Sequence, residues 1–461
     1  AKMGQGAAGS WLFRLPYTAE PHRPVFMFTY HLALGHLSPS SSPVALVWVY
    51  HLARLFFGIG LLVAVYGAAA MLAKSVRQRQ LALLLVGLAS GFGWLFGFGP
   101  DLTVPEAVTF PSLMVNAHFG LTALLMLVVI LGLTIAPSRR LWWVAVAVGS
   151  VWLTMIQPYA VLIVGGAAGG CCVIDYCRTR RVSWSLHGRL VLFALCSLPL
   201  LLYYVWAVRA NPIIGWWMAQ NVTPSPPFGE WLVAFGVILP LAAAGAWVAA
   251  RRRNPADWLL LVWTAAQVGL MLLPLSLQRR LSTGLHLPLC FLAAMGLLEV
   301  VAPRLRQRAR RWLVIGLLSL AIPSNLLVMA AGVSAVLNRN PYVVLSEGQW
   351  QAMEWLRENV SPDTVVLADY ELGTVVPAWG GGVRVVYGHP FETIEAGSRR
   401  SEVDAFYAGR MTPGEESVSL ERFAVQLVIV QDGRLPDRPS LSGFRPVWTR
   451  APVTIYRLED R

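Results

Sequence analysis

Hydrophobic and polar positions divide the chain into two regions. From residue 44 to residue 336, long apolar runs alternate with short polar loops; from residue 337 onward the pattern is shorter and mixed. The runs cover 44–73, 80–98, 118–136, 141–157, 159–176, 190–208, 230–250, 256–277, 286–302 and 312–336. Crossing a bilayer takes roughly 20 apolar residues. The hydrocarbon offers no water to satisfy backbone N–H and C=O groups, so each run is predicted to be a helix. The expected fold class is mainly α, a polytopic transmembrane helical bundle of about ten spans. Pro240, Pro274, Pro323 and the glycines of 165–170 fall inside runs and predict breaks or kinks.

Beyond residue 337 the periodicity changes. A helix is predicted over 347–360, where Trp350, Met353, Trp355 and Leu356 share a face. Short apolar stretches at 364–368, 384–387 and 425–430 read as strands, with one or two more over 447–458 and a second helix over 392–408. Strands alternating with helices predict a small C-terminal α/β domain. The expected domains are therefore a loop segment 1–43 with an interfacial helix near 24–37, a membrane region 44–336, and the α/β domain 337–461.

Charge orients this arrangement. Of the 37 Lys and Arg residues, 17 lie in alternate loops, at 74–79, 139–140, 178–189, 251–253 and 304–311; the intervening loops hold only Arg209, Arg279 and Arg280. Loops rich in Lys and Arg stay in the cytoplasm. Residues 1–43, the loops 99–117, 209–229 and 278–285, and the C-terminal domain are thus expected to be extracytoplasmic. A chain 56% hydrophobic and 13% charged is too apolar for a soluble protein of this length. The net charge of +13 is spread over short loops beside spans, where it meets lipid headgroups, and forms no nucleic-acid face. The five cysteines lie in or beside spans, without His or Cys at metal spacing, and read as small buried apolar residues. The start has neither Met nor a signal-like segment, which predicts at least one upstream span in a longer parent.

Unusual polar groups gather in the loops expected outside. Asp101 and Glu106 stand five apart, each directly after a proline, Pro100 and Pro105, and close to Asn116 and His118. Two carboxylates near a His at the membrane surface point to general acid–base chemistry or a chelated divalent cation, Mg or Mn. Equally, they are ordinary acids of a solvated loop. Gln157-Pro158-Tyr159 turns the chain between two spans, and the hydroxyl-rich loop 219–227 contains Asn221-Val222-Thr223, a glycosylation sequon followed by proline. Arg279 and Arg280 break the charge bias. A guanidinium fork binds phosphate bidentately, so the pair is expected at a lipid phosphate or in a salt bridge to Asp101, Glu106 or the C-terminal domain. His286 follows Arg280 closely enough to join either site.

Taken in order, Lys2-Met3-x-Gln5-Gly6, Pro100-Asp101, Pro105-Glu106, Asn116-x-His118, Gln157-Pro158-Tyr159, Gln220-Asn221-Val222-Thr223-Pro224, Gln278-Arg279-Arg280 and Trp355-Leu356-Arg357-Glu358-Asn359 resemble bacterial polytopic glycosyltransferases of the GT-C superfamily. The resemblance covers most of the chain and points to the subgroup with a C-terminal extracytoplasmic α/β domain. It implies sugar transfer in the cell envelope from a polyprenyl-phosphate-linked donor, with membrane lipids as partners and no nucleic acid. It also places a catalytic acid in the first outward loop; residues 1–43 offer only Glu20, and the matching position would precede Lys2. Asp101, Glu106 and His118 are the candidate catalytic residues, and Arg279, Arg280, Asn116, Tyr159, Asn221 and His286 the candidate substrate ligands. The competing class is a transporter or flippase of a lipid-linked substrate, which broken helices and midplane charges would favour.

Overall fold

The structure, a computed structural model, describes residues 1–252, 254–431 and 439–459; Arg253, counted above with the loop arginines, lies outside the described residues. Among the described residues, eight helices are long and apolar enough to cross a membrane: Pro43–Leu72, Val76–Phe96, Ala117–Thr134, Ala160–Thr179, Trp184–Ala210, Pro255–Leu272, Gln278–Arg304 and Gln307–Leu337. The protein is a multi-pass membrane protein, mainly α. Helix starts follow local chemistry. The Asn211 and Asn254 side chains accept backbone N–H bonds from Ile214 and Ala256, with Pro212 and Pro255 at the first helical position.

Two of the ten expected spans differ. The seventh divides into Phe228–Phe235 and Ile238–Arg252, bent by 89°. The bend falls at Gly236 (φ 46°), a backbone conformation that glycine tolerates best, and not at Pro240. Counting the bent pair as one span gives nine. The fourth is Arg140–Ile156, with 17 residues. At roughly 1.5 Å per residue it is about 26 Å long, short of a typical hydrocarbon core of about 30 Å. Glycines 165–170 break nothing, because Ala160–Thr179 runs through them unbroken. They serve packing instead: a Cβ at Gly170 would fall 2.5 Å from Val262 Cγ1.

The chain folds as two compact units, one of residues 50–204 and 223–333, the other of 1–49, 205–222 and 334–461. In the first, helices Ile238–Arg252 and His286–Gly296 approach so closely that a Cβ at Gly245 would lie 1.9 Å from Leu292 O, and one at Gly296 2.0 Å from Leu241 O. Close backbone approach between small residues is how spans gain dispersion energy where the hydrophobic effect is absent. Arg189, counted above as a loop charge, is buried. It donates to Gly132 O (2.7 Å), Ala136 O (2.9 Å) and Pro137 O (3.0 Å), where Ala117–Thr134 ends and its last carbonyls need donors. Large side chains such as Phe56, Leu141 and Trp184 are exposed, as on lipid-facing helices.

The second unit carries a five-stranded sheet: β1 Val365–Leu367, β2 Arg384–Val385, β3 Leu427–Gln431, β4 Phe444–Arg450 and β5 Val453–Leu458, in the order β2-β1-β3-β5-β4. β1 pairs in parallel with β2 and β3; β5 pairs antiparallel with β3 and β4, with Ile429 opposite Ile455. Both faces are covered, as parallel strands require. Val365 and Leu367 face Val403, Phe406 and Leu420, while Val366 faces Met353, Leu356 and Leu372. Helix Glu347–Asn359 begins at a Ser346–Gln349 capping box.

Residues 1–43, expected as a separate loop with an interfacial helix, belong to this unit, together with 44–49 from the start of the first expected span. Val385 N–H donates to Pro16 O at 3.1 Å, covering the exposed edge of β2. Lys2 Nζ lies 2.5 Å from Glu392 Oε1 and 4.3 Å from the Phe28 ring centre. Glu20, the one carboxylate of residues 1–43, pairs with the buried Arg399 at 2.6 Å. The 24–37 segment forms helix Thr29–His36, whose Leu32 is buried and whose Gly35 would place a Cβ 2.2 Å from Met3 O.

Candidate functional site

The loop 99–117 decides the fate of the two carboxylates. Gly99 (φ 145°) leads into the short helix Pro100–Thr103, which turns Asp101 inward. Asp101 is 0% exposed, and its Oδ2 accepts the Gly93 N–H at 3.0 Å. A Cβ at Gly93 or Gly99 would sit 2.5 or 2.6 Å from Asp101 Oδ1, so these glycines make room for the carboxylate. Burial pushes its carboxyl above the usual carboxylate range. Asp101 is a strut within the loop, contrary to the expectation of an acid at a solvated surface.

Glu106 is also buried, and its Oε2, like Asp101 Oδ1, lacks a donor among the described residues. It lines a small pocket together with Thr109, Ser112, Thr283, Gly284 and His286, with Leu61, Phe119 and Leu287 on its apolar wall. A buried carboxylate oxygen without a donor is costly unless something completes it. Ser112 turns away, donating to Pro105 O at 2.5 Å.

His286 does not complete Glu106. Its Nδ1 receives the Thr109 N–H at 3.4 Å and lies 2.9 Å from the Thr109 hydroxyl. An amide N–H can only donate, which assigns the ring proton to Nε2, 3.3 Å from Cys290 Sγ. With both nitrogens engaged and 1% exposure, His286 fastens helix Thr109–Val115 to helix His286–Gly296. It stands on the wall of the Glu106 pocket with both ring nitrogens already engaged.

Tyr159 and Thr283 link the pocket to the arginines. The Tyr159 hydroxyl lies 3.3 Å from Thr283 Oγ1, which donates to Arg280 O at 2.8 Å. Arg279 and Arg280 sit on the 3-10 turn Gln278–Ser282, half-buried. Among the described residues neither forms a salt bridge, to Asp101, Glu106 or any other acid, and Arg279 Nε is buried without a partner. Neither arginine lines the Glu106 pocket; Thr283, which does, is bonded to the Arg280 backbone carbonyl.

The remaining candidates, Asn116, His118 and Asn221, are not among the residues that line the Glu106 pocket. Asn116 precedes helix Ala117–Thr134 without capping it through its side chain, and accepts the Phe119 N–H at its own carbonyl. His118 is half-buried, its ring 4.4 Å from that of Phe119. Asn221 belongs to the other unit, at the end of helix Pro212–Gln220. Sequence reasoning passed over Gln267, Thr109 and Thr283. Gln267 had a legible signal, an amide inside an apolar run. As for a cation, no group of three His, Cys, Asp or Glu is placed to hold one among the described residues. Glu106 with neighbouring hydroxyls does not make a dedicated metal site, so no chemical step is assigned to a metal.

No protein-family model and no curated protein matches the chain. Solved structures do. The crystal structure of the Archaeoglobus fulgidus oligosaccharyltransferase, tethered with an acceptor peptide containing the NVT sequon, aligns over 93% of this chain at TM-score 0.59 and 13% identity. The chain spans 64% of that protein's length. ArnT from Cupriavidus metallidurans, in its crystal structure bound to undecaprenyl phosphate, aligns over 99% of this chain and 91% of its own, at TM-score 0.55 and 14% identity. The archaeal enzyme has also been solved with an inhibitory peptide and a dolichol-phosphate, and aligns over 93% of this chain at TM-score 0.57 and 11% identity. Over nearly its whole length, this chain has the GT-C fold found in these polytopic membrane glycosyltransferases.

Proposed function

We propose that the chain is an integral membrane glycosyltransferase that moves a sugar from a polyprenyl-phosphate-linked donor to an acceptor hydroxyl or amide at the outer face of the membrane. The observation that carries this reading is the unpaired Arg279–Arg280 turn joined through Thr283 to the pocket of the unpaired Glu106. Transfer breaks the bond between the sugar's anomeric carbon and the phosphate oxygen and forms one to the acceptor. The departing lipid phosphate gains negative charge, which the two guanidinium groups are suited to stabilise. The acceptor's proton passes to a carboxylate, and Glu106 is the group assigned to receive it. Solved structures of this fold with dolichol-phosphate or undecaprenyl phosphate support the donor class.

One observation favours a transporter or flippase instead, the 89° break at Gly236. Membranes containing the protein, supplied with radiolabelled polyprenyl-phosphate sugars, separate the readings. Label appearing on a new acceptor supports transfer; a labelled lipid that only changes leaflet supports transport and sinks the enzyme. The outward orientation rests on the loop arginines. A cysteine replacing the exposed Ser361 is expected to react with a membrane-impermeant maleimide in intact cells, and labelling confined to lysed cells reverses the topology.

A further inference from the structure

An amide inside a membrane span needs partners, because hydrocarbon supplies none. Gln267, fully buried in helix Pro255–Leu272, uses its entire side chain. Its Nε2 donates to Leu281 O at 2.8 Å and to Thr283 O at 2.7 Å, and its Oε1 accepts from Trp263 Nε1 at 2.9 Å. An indole only donates and carbonyls only accept, so the amide has one allowed orientation. Both carbonyls belong to the segment that carries Arg279 and Arg280. On its other side the segment is tied by Arg279 N–H to Thr223 O at 3.0 Å, and Thr223 N–H is in turn tied to Ser276 O at 2.6 Å.

Two neighbouring guanidinium groups without a carboxylate repel each other. Their placement must therefore come from the backbone beneath them. We propose that Gln267 is a positioning residue, whose amide pre-organises the Arg279–Arg280 turn for an anionic ligand of the phosphate class. The ligand class rests on the function proposed above; the clamp rests on the geometry alone. Pre-organisation of this kind raises affinity by removing the ordering cost from the binding step.

The test uses the full-length chain in nanodiscs, with Gln267→Met, which keeps the volume and loses both donors, and Gln267→Asn, one methylene shorter. Amide hydrogen exchange is read over residues 277–284, and affinity is read with undecaprenyl phosphate. Losing two hydrogen bonds is expected to speed exchange in that segment on the order of tenfold, with distant spans unchanged, and to weaken the lipid phosphate by roughly tenfold. The loss should vanish when Gln267→Met is placed on an Arg279→Ala, Arg280→Ala background, because the clamp acts only through those side chains. Unchanged exchange overturns the clamp. Faster exchange with unchanged affinity, or full additivity with the arginine changes, overturns its positioning role. A parent that does not bind undecaprenyl phosphate refutes the phosphate reading instead, and exchange alone then judges the clamp. If Gln267→Met does not accumulate, Gln267→Asn is judged by the same outcomes.

Discussion

Glu106→Gln is expected to lower sugar transfer by about 10²-fold or more, the usual scale for a lost acid–base group. The substitution is nearly isosteric, so the pocket keeps its shape. Its effect on stability should be small and in the opposite direction. Glu106 Oε2 is buried without a donor among the described residues, and neutralising an unpaired buried carboxylate relieves a desolvation cost. The paired measurement is turnover with labelled donor alongside thermal melting in detergent. Reduced turnover with an unchanged or higher melting temperature supports a chemical role. Transfer at the parental rate would remove Glu106 from the mechanism. Asp101→Asn is the natural contrast: with its Oδ2 holding the Gly93 amide inside a glycine-walled site, its substitution should lower the melting temperature first.

The second large effect is expected at the arginines. Each charge-assisted hydrogen bond to a phosphate contributes roughly 1.5–3 kcal/mol. Arg279→Ala together with Arg280→Ala should therefore weaken donor affinity by at least about 10²-fold, since 1.4 kcal/mol is about tenfold. No ion pair is broken in the unliganded protein, because neither arginine has one among the described residues. Expression and melting should accordingly persist, and the loss should appear in KM or Kd. Equal donor affinity in the double variant and the parent would show that the phosphate is bound elsewhere.

Much of the C-terminal domain was legible. The capped helix at Glu347–Asn359 and strands β1 and β3 lie within a residue or three of expectation. Two helices were not anticipated. Tyr370–Trp379 carries Pro377 and runs into three glycines, so its composition argues against a helix; Asp369 starts it by accepting the Leu372 N–H. Pro413–Arg422 did announce itself, through Thr412-Pro413 and Glu415, a capping box with proline at the first helical position. The site was legible in part. Arg279 and Arg280 stood out because they break a charge rule that the translocation machinery imposes along the sequence.

Asp101 and Glu106 show where sequence stops. Five residues apart in one proline-bounded loop, they carry the same charge and similar neighbours. Their difference comes from partners distant in the chain or from backbone conformation: glycine φ values that fold Asp101 onto Gly93, and Thr283 and His286 that wall the Glu106 pocket. The same holds for Gln267, whose partners are 14 and 16 residues away. Apolar period, loop charge and capping residues are local, and they determined by themselves the membrane class, most of the spans and the strand–helix alternation of residues 337–461. The bend at Gly236, the joining of residues 1–49 to the sheet, and the placing of Asp101 on the Gly93 amide and of Glu106 on a pocket wall were decided by tertiary structure. Each depends on which backbone groups remain unsatisfied once the helices have packed, and that is a property of the folded chain.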